Sequence, residues 1–381
     1  MRVLQVFNTP MHHVLPLARC LAKLVGEENF RYGAVYYPGL SERHQMLGWN
    51  CNENDPWILR LENENDREQF DRWWDEADVV LCGERLFSRM KDRLDKGKLT
   101  FHMSERLWKP PIGMARLLHP RFALMTARFK RMTSSPYFHF LPIGGYAAPD
   151  MKRIASFTGR MWNWGYFTSI PDPLTTCDRK EEGFRVLWAG RMLGWKRVDT
   201  LIKAFSKLLS ERSDAILTIV GIGPKQKMLE ELAGKLLKAG SFQVKSAMPT
   251  GEIRQLMRQH HVYVLPSGGG EGWGAVINEA MAEGCAVIAN EEGGAAKTMI
   301  RDHENGLLFA PGDWKGLGDL LCEVGRNEAF RIQLAEQGQR TIVECWSPEV
   351  AAERFLSVCE ALLANRPVPS FNDGPMSPAW D

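Results

Sequence analysis

VYVLPSGGGEGWGAVINEAMAEGCAVIA, residues 262–289, is a strand, a loop, a helix and a second strand in one run. VYVLP (262–266) and CAVIA (285–289) are short apolar stretches bounded by glycine or proline, the pattern of buried strands. Between them SGGGEGWG (267–274) breaks regular structure, and Ala275, Val276, Ala280 and Met281 then give the following segment one apolar helical face. Two strands joined by a helix pair in parallel, because the crossover returns the chain to the same end of the sheet. The run also carries two carboxylates, Glu271 and Glu279, eight positions apart, the first of them placed where a helix is expected to begin.

The same alternation extends in both directions. FRVLWAG (184–190) reads as a strand, and VDTLIKAFSKLL follows it with Val198, Leu201, Ile202, Phe205, Leu208 and Leu209 on one helical face. AILTIVG (215–221) is a further strand. Pro224 opens a helix with Met228, Leu229, Leu232 and Leu236 inward, FQV (242–244) is a strand, and Thr250 can cap a short helix. The first half is less regular: VLQVF, YGAVYYP, ADVVLCG (77–83) and KLTFHMSE (98–105) read as strands, and HVLPLARCLAKL as a helix. At 381 residues the chain exceeds one ordinary core. The expected fold class is α/β, with two Rossmann-like doubly wound domains facing a central cleft. Residues 1–172 would form the first domain and 173–345 the second, with the join in SIPDPLTTCDRKEEG (169–183). Residues 346–365 would form a C-terminal helix. The proline-rich residues 366–381 would form a flexible tail, loose or draped over a surface.

Composition narrows the classes. The formal net charge is +2, which gives no support for nucleic-acid binding by the whole chain. The eight cysteines form no CxxC pair, so they read as reduced structural thiols of a cytoplasmic protein and not as a zinc site. MRVLQVFNTP reads as a first buried strand and not a signal peptide, and no run of 18 apolar residues spans a membrane. HPRFALMTARFKRMTSSPYF (119–138) interleaves Arg121, Arg128, Lys130 and Arg131 with Phe122, Leu124, Met125, Phe129 and Met132. That mixture is either an amphipathic helix covering the sheet or a face that lies on an anionic membrane surface, which would make the protein peripheral on the inner face of the membrane.

Ligands of doubly wound sheets bind beyond the carboxyl ends of the strands. The loops at those ends are GRMLGWK with Gly190, Arg191 and Lys196, GIGP with Gly221 and Gly223, SGGGEGWG, and NEEGGAA. Glycines admit a ligand close to the backbone, and Arg191 with Lys196 would draw an anion, a diphosphate better than a monophosphate. Along an ideal helix the two acids would stand roughly 12 Å apart. A glycosidase pair stands about 5–9.5 Å apart across one bond. The wider spacing suits two ends of one extended ligand, with Glu279 and Glu271 accepting hydroxyls on either side of the phosphates, as in a nucleotide-diphosphate sugar.

GRMLGWKRVDTLIKAFSKL, VGIGP, VLPSGGGEGWGAVINEAMAEGCAVIA and GGAAKTMIRDHENGLLFAPGD together resemble the donor half of the family-4 glycosyltransferases, retaining enzymes of the GT-B fold. The resemblance covers residues 184–315 and extends to the helix WSPEVAAERFLSVCEALL (346–363), and it implies that the helix at 346–365 crosses back to the first domain. It implies that Arg191 and Lys196 bind the diphosphate, that Glu271 lies by the donor sugar, and that Glu279 holds the ribose. The backbone of Gly272, Trp273 and Gly274 would contact phosphate and sugar. LTFHMSE resembles the family strand whose histidine reaches the donor sugar, which nominates His102. The implied activity moves a sugar from a nucleotide-diphosphate sugar to a glycan or lipid-linked acceptor, in polysaccharide or cell-envelope glycan biosynthesis. A nucleotide-sugar 2-epimerase of the same fold, or an inactive nucleotide-sugar-binding module, are the alternatives. No D-x-D pair stands at the donor loops, so the reading requires no metal and no cofactor beyond the nucleotide sugar as co-substrate.

Two departures matter. Where the family often has a glycine-rich turn after its first strand, this chain has FNTPMHHVLP, which offers His12 and His13 to an acceptor or to a helix cap. Trp273 stands where a smaller residue is usual and would shape the sugar pocket. Glu105 and Arg106 are either an internal ion pair or acceptor-side residues. RMWNWGYF (160–167) is either an aromatic platform for an acceptor sugar or linker packing.

Overall fold

Runs of Val, Ile and Leu that are apolar on both faces can pair only where helices cover both faces, and here they build two parallel sheets. The computed structural model describes residues 1–35, 54–83, 86–110, 112–176, 179 and 183–379. The end of YGAVYYP, part of the 169–183 join, and Trp380 and Asp381 of the tail lie outside the described residues.

In the first unit the strands are β1 (Val3–Phe7), β2 (Phe30–Ala34), β3 (Ile58–Arg60), β4 (Val79–Cys82), β5 (Leu99–Glu105) and β6 (Phe138–Ile143). Among the described residues they lie in the order β3-β2-β1-β4-β5-β6, with every pairing parallel. The second unit repeats the plan with β7 (Arg185–Ala189), β8 (Ile216–Val220), β9 (Phe242–Lys245), β10 (Val262–Leu265), β11 (Ala286–Asn290) and β12 (Leu307–Phe309). Their order is β12-β11-β10-β7-β8-β9, again all parallel. Counted within each unit, both sheets have the doubly wound order 3-2-1-4-5-6. The strand order reverses between β1 and β4 in the first sheet and between β7 and β10 in the second, and ligands of this architecture bind at such points.

The helix Val198–Glu211 buries Val198, Leu201, Ile202, Phe205 and Leu208 against the second sheet, as its periodicity predicts. Two helical details differ. The helix after Pro224 spans Gln226–Leu236 and buries only Leu229 and Ala233, while Met228 and Leu236 face solvent. Pro249, not Thr250, occupies the cap position of the helix Thr250–Arg258.

The chain passes from the first unit to the second at Ser169–Ile170 and returns at Cys345. The helix Pro348–Leu363 therefore belongs to the first unit, where Phe355 packs edge-on against Phe101 at 5.0 Å. Trp164 also meets Phe355, and Trp162 and Phe167 are buried nearby, so most of RMWNWGYF is core packing. The expected flexible tail is pinned: Met376 N–H donates to Asn163 O, Asn163 N–H to Ser377 O, and Ala379 N–H to Met161 O. Met376 is fully buried, so this stretch gains apolar burial as well as hydrogen bonds.

Candidate functional site

The four glycine-rich loops of the second unit are stitched in pairs, and the glycines make the stitching possible. At Gly221, with φ +138°, any Cβ would stand 1.8 Å from Gly190 O, and at Gly223 one would stand 2.6 Å from Met192 O. Met192 N–H donates to Ile222 O and Lys225 N–H returns to Met192 O, so the loops after β7 and β8 run as one layer. The loops after β10 and β11 join the same way: a Cβ at Gly294 would meet Gly272 O at 1.8 Å, and Ala295 N–H donates to Trp273 O. Glu292 adds a carboxylate that accepts from Gly269 N–H at 2.9 Å.

Across the reversal point these two layers meet. Lys196, from the loop after β7, places its ammonium 2.5 Å from Glu271 Oε2 on the loop after β10. Trp195 lies beside them, its ring 4.4 Å from Lys196 Nζ and against the backbone of Gly270. Arg191 is half-buried on the same loop as Lys196. The structure thus brings together Lys196 and Glu271 on one edge with Gly190, Gly221, Gly223, Gly272 and Gly274.

The helix itself is shorter than the sequence suggests. It spans Val276–Ala282, so Glu271 precedes it in a turn closed by its own N–H on Gly268 O. The expected ideal-helix separation of the two acids therefore does not apply, because Glu271 is not helical. Trp273 is 1% exposed, with its indole N–H donating to Asn278 Oδ1 at 2.9 Å, so its side chain is held inside the fold. Glu279, in the first turn of the helix, is 5% exposed. Burial, together with the nearby Glu283 carboxylate, raises its pKa to about 7, against the pull of Arg254.

Glu283 went unnoticed in the sequence reading. It is fully buried and accepts from Arg254 Nε at 2.5 Å, Arg258 Nη1 at 2.8 Å and Thr175 Oγ1 at 3.0 Å. Arg179 donates to the carbonyls of Met257, Arg258, Glu283 and Gly284, which fixes the end of this helix to its neighbour. The available signal was spacing: Glu283 is one turn after Glu279, and Arg254 and Arg258 share a face of their helix.

In the first unit the predicted residues divide. His102 is 1% exposed in mid-β5, its ring 5.1 Å from Phe129 and 6.1 Å from Phe140. It sits within the strand, among aromatic rings of the core. At that edge Glu105 accepts from Lys109 Nζ at 2.6 Å and from Tyr166 Oη at 3.3 Å. Tyr166 packs on His13, which in turn meets His12 edge-on at 4.9 Å. Burial and the neighbouring His12 hold His13 down at about 3, so it is neutral at ordinary pH. Arg106 does not pair with Glu105: it lies over the Tyr146 ring at 4.8 Å and 3.7 Å from Asp150 Oδ2. His12, His13 and Glu105 therefore gather at one edge with Tyr166, and Arg106 belongs to a separate contact.

Among the described residues there is no group of three or more His, Cys, Asp or Glu side chains that could hold a metal ion. Nor is any helix among them long and apolar enough to cross a membrane.

Residues 178–341 match the family glycosyl transferases group 1. A GDP-mannose-dependent monoacylated alpha-(1-6)-phosphatidylinositol monomannoside mannosyltransferase of Corynebacterium glutamicum is 28% identical over 61% of this chain and 59% of its own length. The lipopolysaccharide core biosynthesis glycosyltransferase LpsE of Rhizobium meliloti is 30% identical over 48% of this chain and 50% of its own. The chain thus spans about half to three-fifths of the length of these curated relatives. The Anabaena protein Alr3699/HepE, solved in complex with UDP, superposes with a TM-score of 0.69 at 14% identity, covering 96% of this chain and 100% of that one. The fold is that of the GT-B glycosyltransferases.

Proposed function

We propose that this chain, which carries a glycosyl transferases group 1 domain at residues 178–341, moves a sugar from a nucleotide-diphosphate sugar to a hydroxyl of a glycan or lipid-linked acceptor, with retention of configuration. The observation that carries the reading is the meeting of Lys196 and Glu271 at the reversal point of the second sheet, framed by four loops whose glycines let them pack backbone to backbone. The bond from the anomeric carbon to the β-phosphate oxygen breaks, a bond from that carbon to the acceptor oxygen forms, and the acceptor proton leaves on the departing diphosphate. Arg191 and Lys196 stabilise the charge that develops on the diphosphate. Glu279 receives the ribose hydroxyls and Glu271 the hydroxyls of the sugar. No side chain is assigned as a nucleophile, and no step draws on a metal.

The acceptor side is the carboxyl edge of the first sheet, where His12, His13, Tyr166 and Glu105 gather. A lipid-linked acceptor suits the surface around the helix Pro120–Met132. Its Met125, Phe129 and Met132 turn inward, but Leu124 faces solvent together with Ile112, Met114 and Leu118, the last 87% exposed. Arg121, Arg128, Lys130 and Arg131 are exposed on the same segment. We read this face as seated on an anionic membrane, with the protein peripheral to the inner leaflet.

The test is nucleotide release from a panel of nucleotide sugars, with and without glycan and lipid acceptors. Release that depends on acceptor is the expected result. Slow release with any acceptor omitted or present, alongside an altered donor sugar, would instead mark an epimerase. Donor binding with no turnover of any donor would mark an inactive binding module.

A further inference from the structure

We propose that Trp195 is a positioning residue for Lys196, holding the ammonium at the turn that carries Gly270 and Glu271 through the face of its indole. The proposal rests on the reading of this edge as a nucleotide-sugar site. The loops after β7 and β8 are bound to each other by backbone hydrogen bonds, and so are those after β10 and β11. Between the two layers stand the Lys196–Glu271 ion pair and the packing of Trp195 on Gly270, where even a methyl group would come within 3.2 Å of the indole. A diphosphate that draws the ammonium toward itself competes with the first of these contacts. It leaves the second intact, because the indole contact with Gly270 carries no formal charge.

A lysine carries its charge on a flexible four-carbon stem, so a free ammonium loses rotamer freedom when a phosphate captures it. The Trp195 face, 4.4 Å from Nζ, is within the range where an aromatic quadrupole attracts a cation, and it limits where the ammonium can go once Glu271 releases it. Trp195 remains 39% exposed, so its bulk is not needed to fill a core. An aliphatic side chain there would preserve most of the apolar contact with Gly270 and lose the attraction for the cation.

The experiment is a calorimetric titration of the full chain with UDP, GDP, ADP and TDP, followed by the tightest of them on the variants W195F, W195L, K196M and W195L/K196M. W195L is expected to weaken binding about three- to ten-fold, and W195F to restore most of the loss. In the K196M background W195L is expected to add nothing, which is the signature of an effect exerted through Lys196. Thermal midpoints of W195F and W195L should match the wild type. Equal affinities for W195L and wild type, equal losses for W195F and W195L, or an additive loss in the double variant would overturn the proposal while leaving the nucleotide-sugar reading in place. Failure of the wild-type chain to bind any of the four diphosphates would overturn both.

Discussion

Glu279 is a carboxyl group buried beside another, and it holds its proton up to about pH 7. In the unfolded chain it would lose that proton near 4.5. Between these values the folded state binds more protons than the unfolded one, so stability falls as pH rises through this window. Glu279→Gln removes that dependence. Its unfolding free energy should equal the wild type's at pH 4 and exceed it by up to about 3 kcal/mol at pH 8, read from denaturant melts at the two pH values. At pH 8, where the carboxylate has formed, the same variant should bind donor more weakly, because ribose hydroxyls need an acceptor pair that an amide only half supplies. A variant with unchanged donor affinity would remove Glu279 from the ribose. The two glutamates were legible in sequence because they share a glycine-rich, helix-flanking run. The depth of Trp273 and His102 was not. Alternation along β5 says that neighbouring side chains face opposite ways, but not that the helix carrying Phe129 closes over the face that holds His102.

At the scale of elements, the order of strands and helices in the second half could be read directly, since each strand is a short apolar run and four of the loops that follow strands are rich in glycine. The stitching of loops in pairs could not, because it depends on backbone carbonyls that leave no mark on residue identity. It makes a sharp prediction for Gly221→Ala. The added methyl would overlap Gly190 O at 1.8 Å in a backbone conformation that suits glycine, so the loops after β7 and β8 must part. We expect a loss of about 2–3 kcal/mol in stability, with donor affinity reduced beyond what Lys196→Met alone produces. An alanine variant with wild-type melting and binding would mean that these loops separate freely. The irregular first half was harder to read for a related reason: its aromatic core recruits a helix from the far end of the chain, and no local pattern announces that partner.

For the whole molecule, the basic and apolar face at 112–131 sets a measurable property. The protein should sediment with vesicles containing an anionic phospholipid at low ionic strength and be released as salt screens the arginines. Exchanging exposed Leu118 and Leu124 for aspartate should abolish sedimentation without changing the melting temperature. Equal recovery with neutral and anionic vesicles would sink the idea. Sequence alone left this segment undecided between sheet cover and membrane face. The structure turns Met125, Phe129 and Met132 inward and leaves Leu124 exposed to solvent.

The return of the chain at Cys345 also bears on how the protein is made. A ribosome finishes every strand of the first sheet long before it releases the helix that carries Phe355, yet that side chain is fully buried against Phe101. Residues 170–344, made later, already contain their own sheet and their own core. The half translated second can therefore complete its folding first, while the half translated first waits with an open aromatic surface. A nascent chain stalled before residue 345 would expose its amino-terminal half, not its most recent one, to chaperones and proteases.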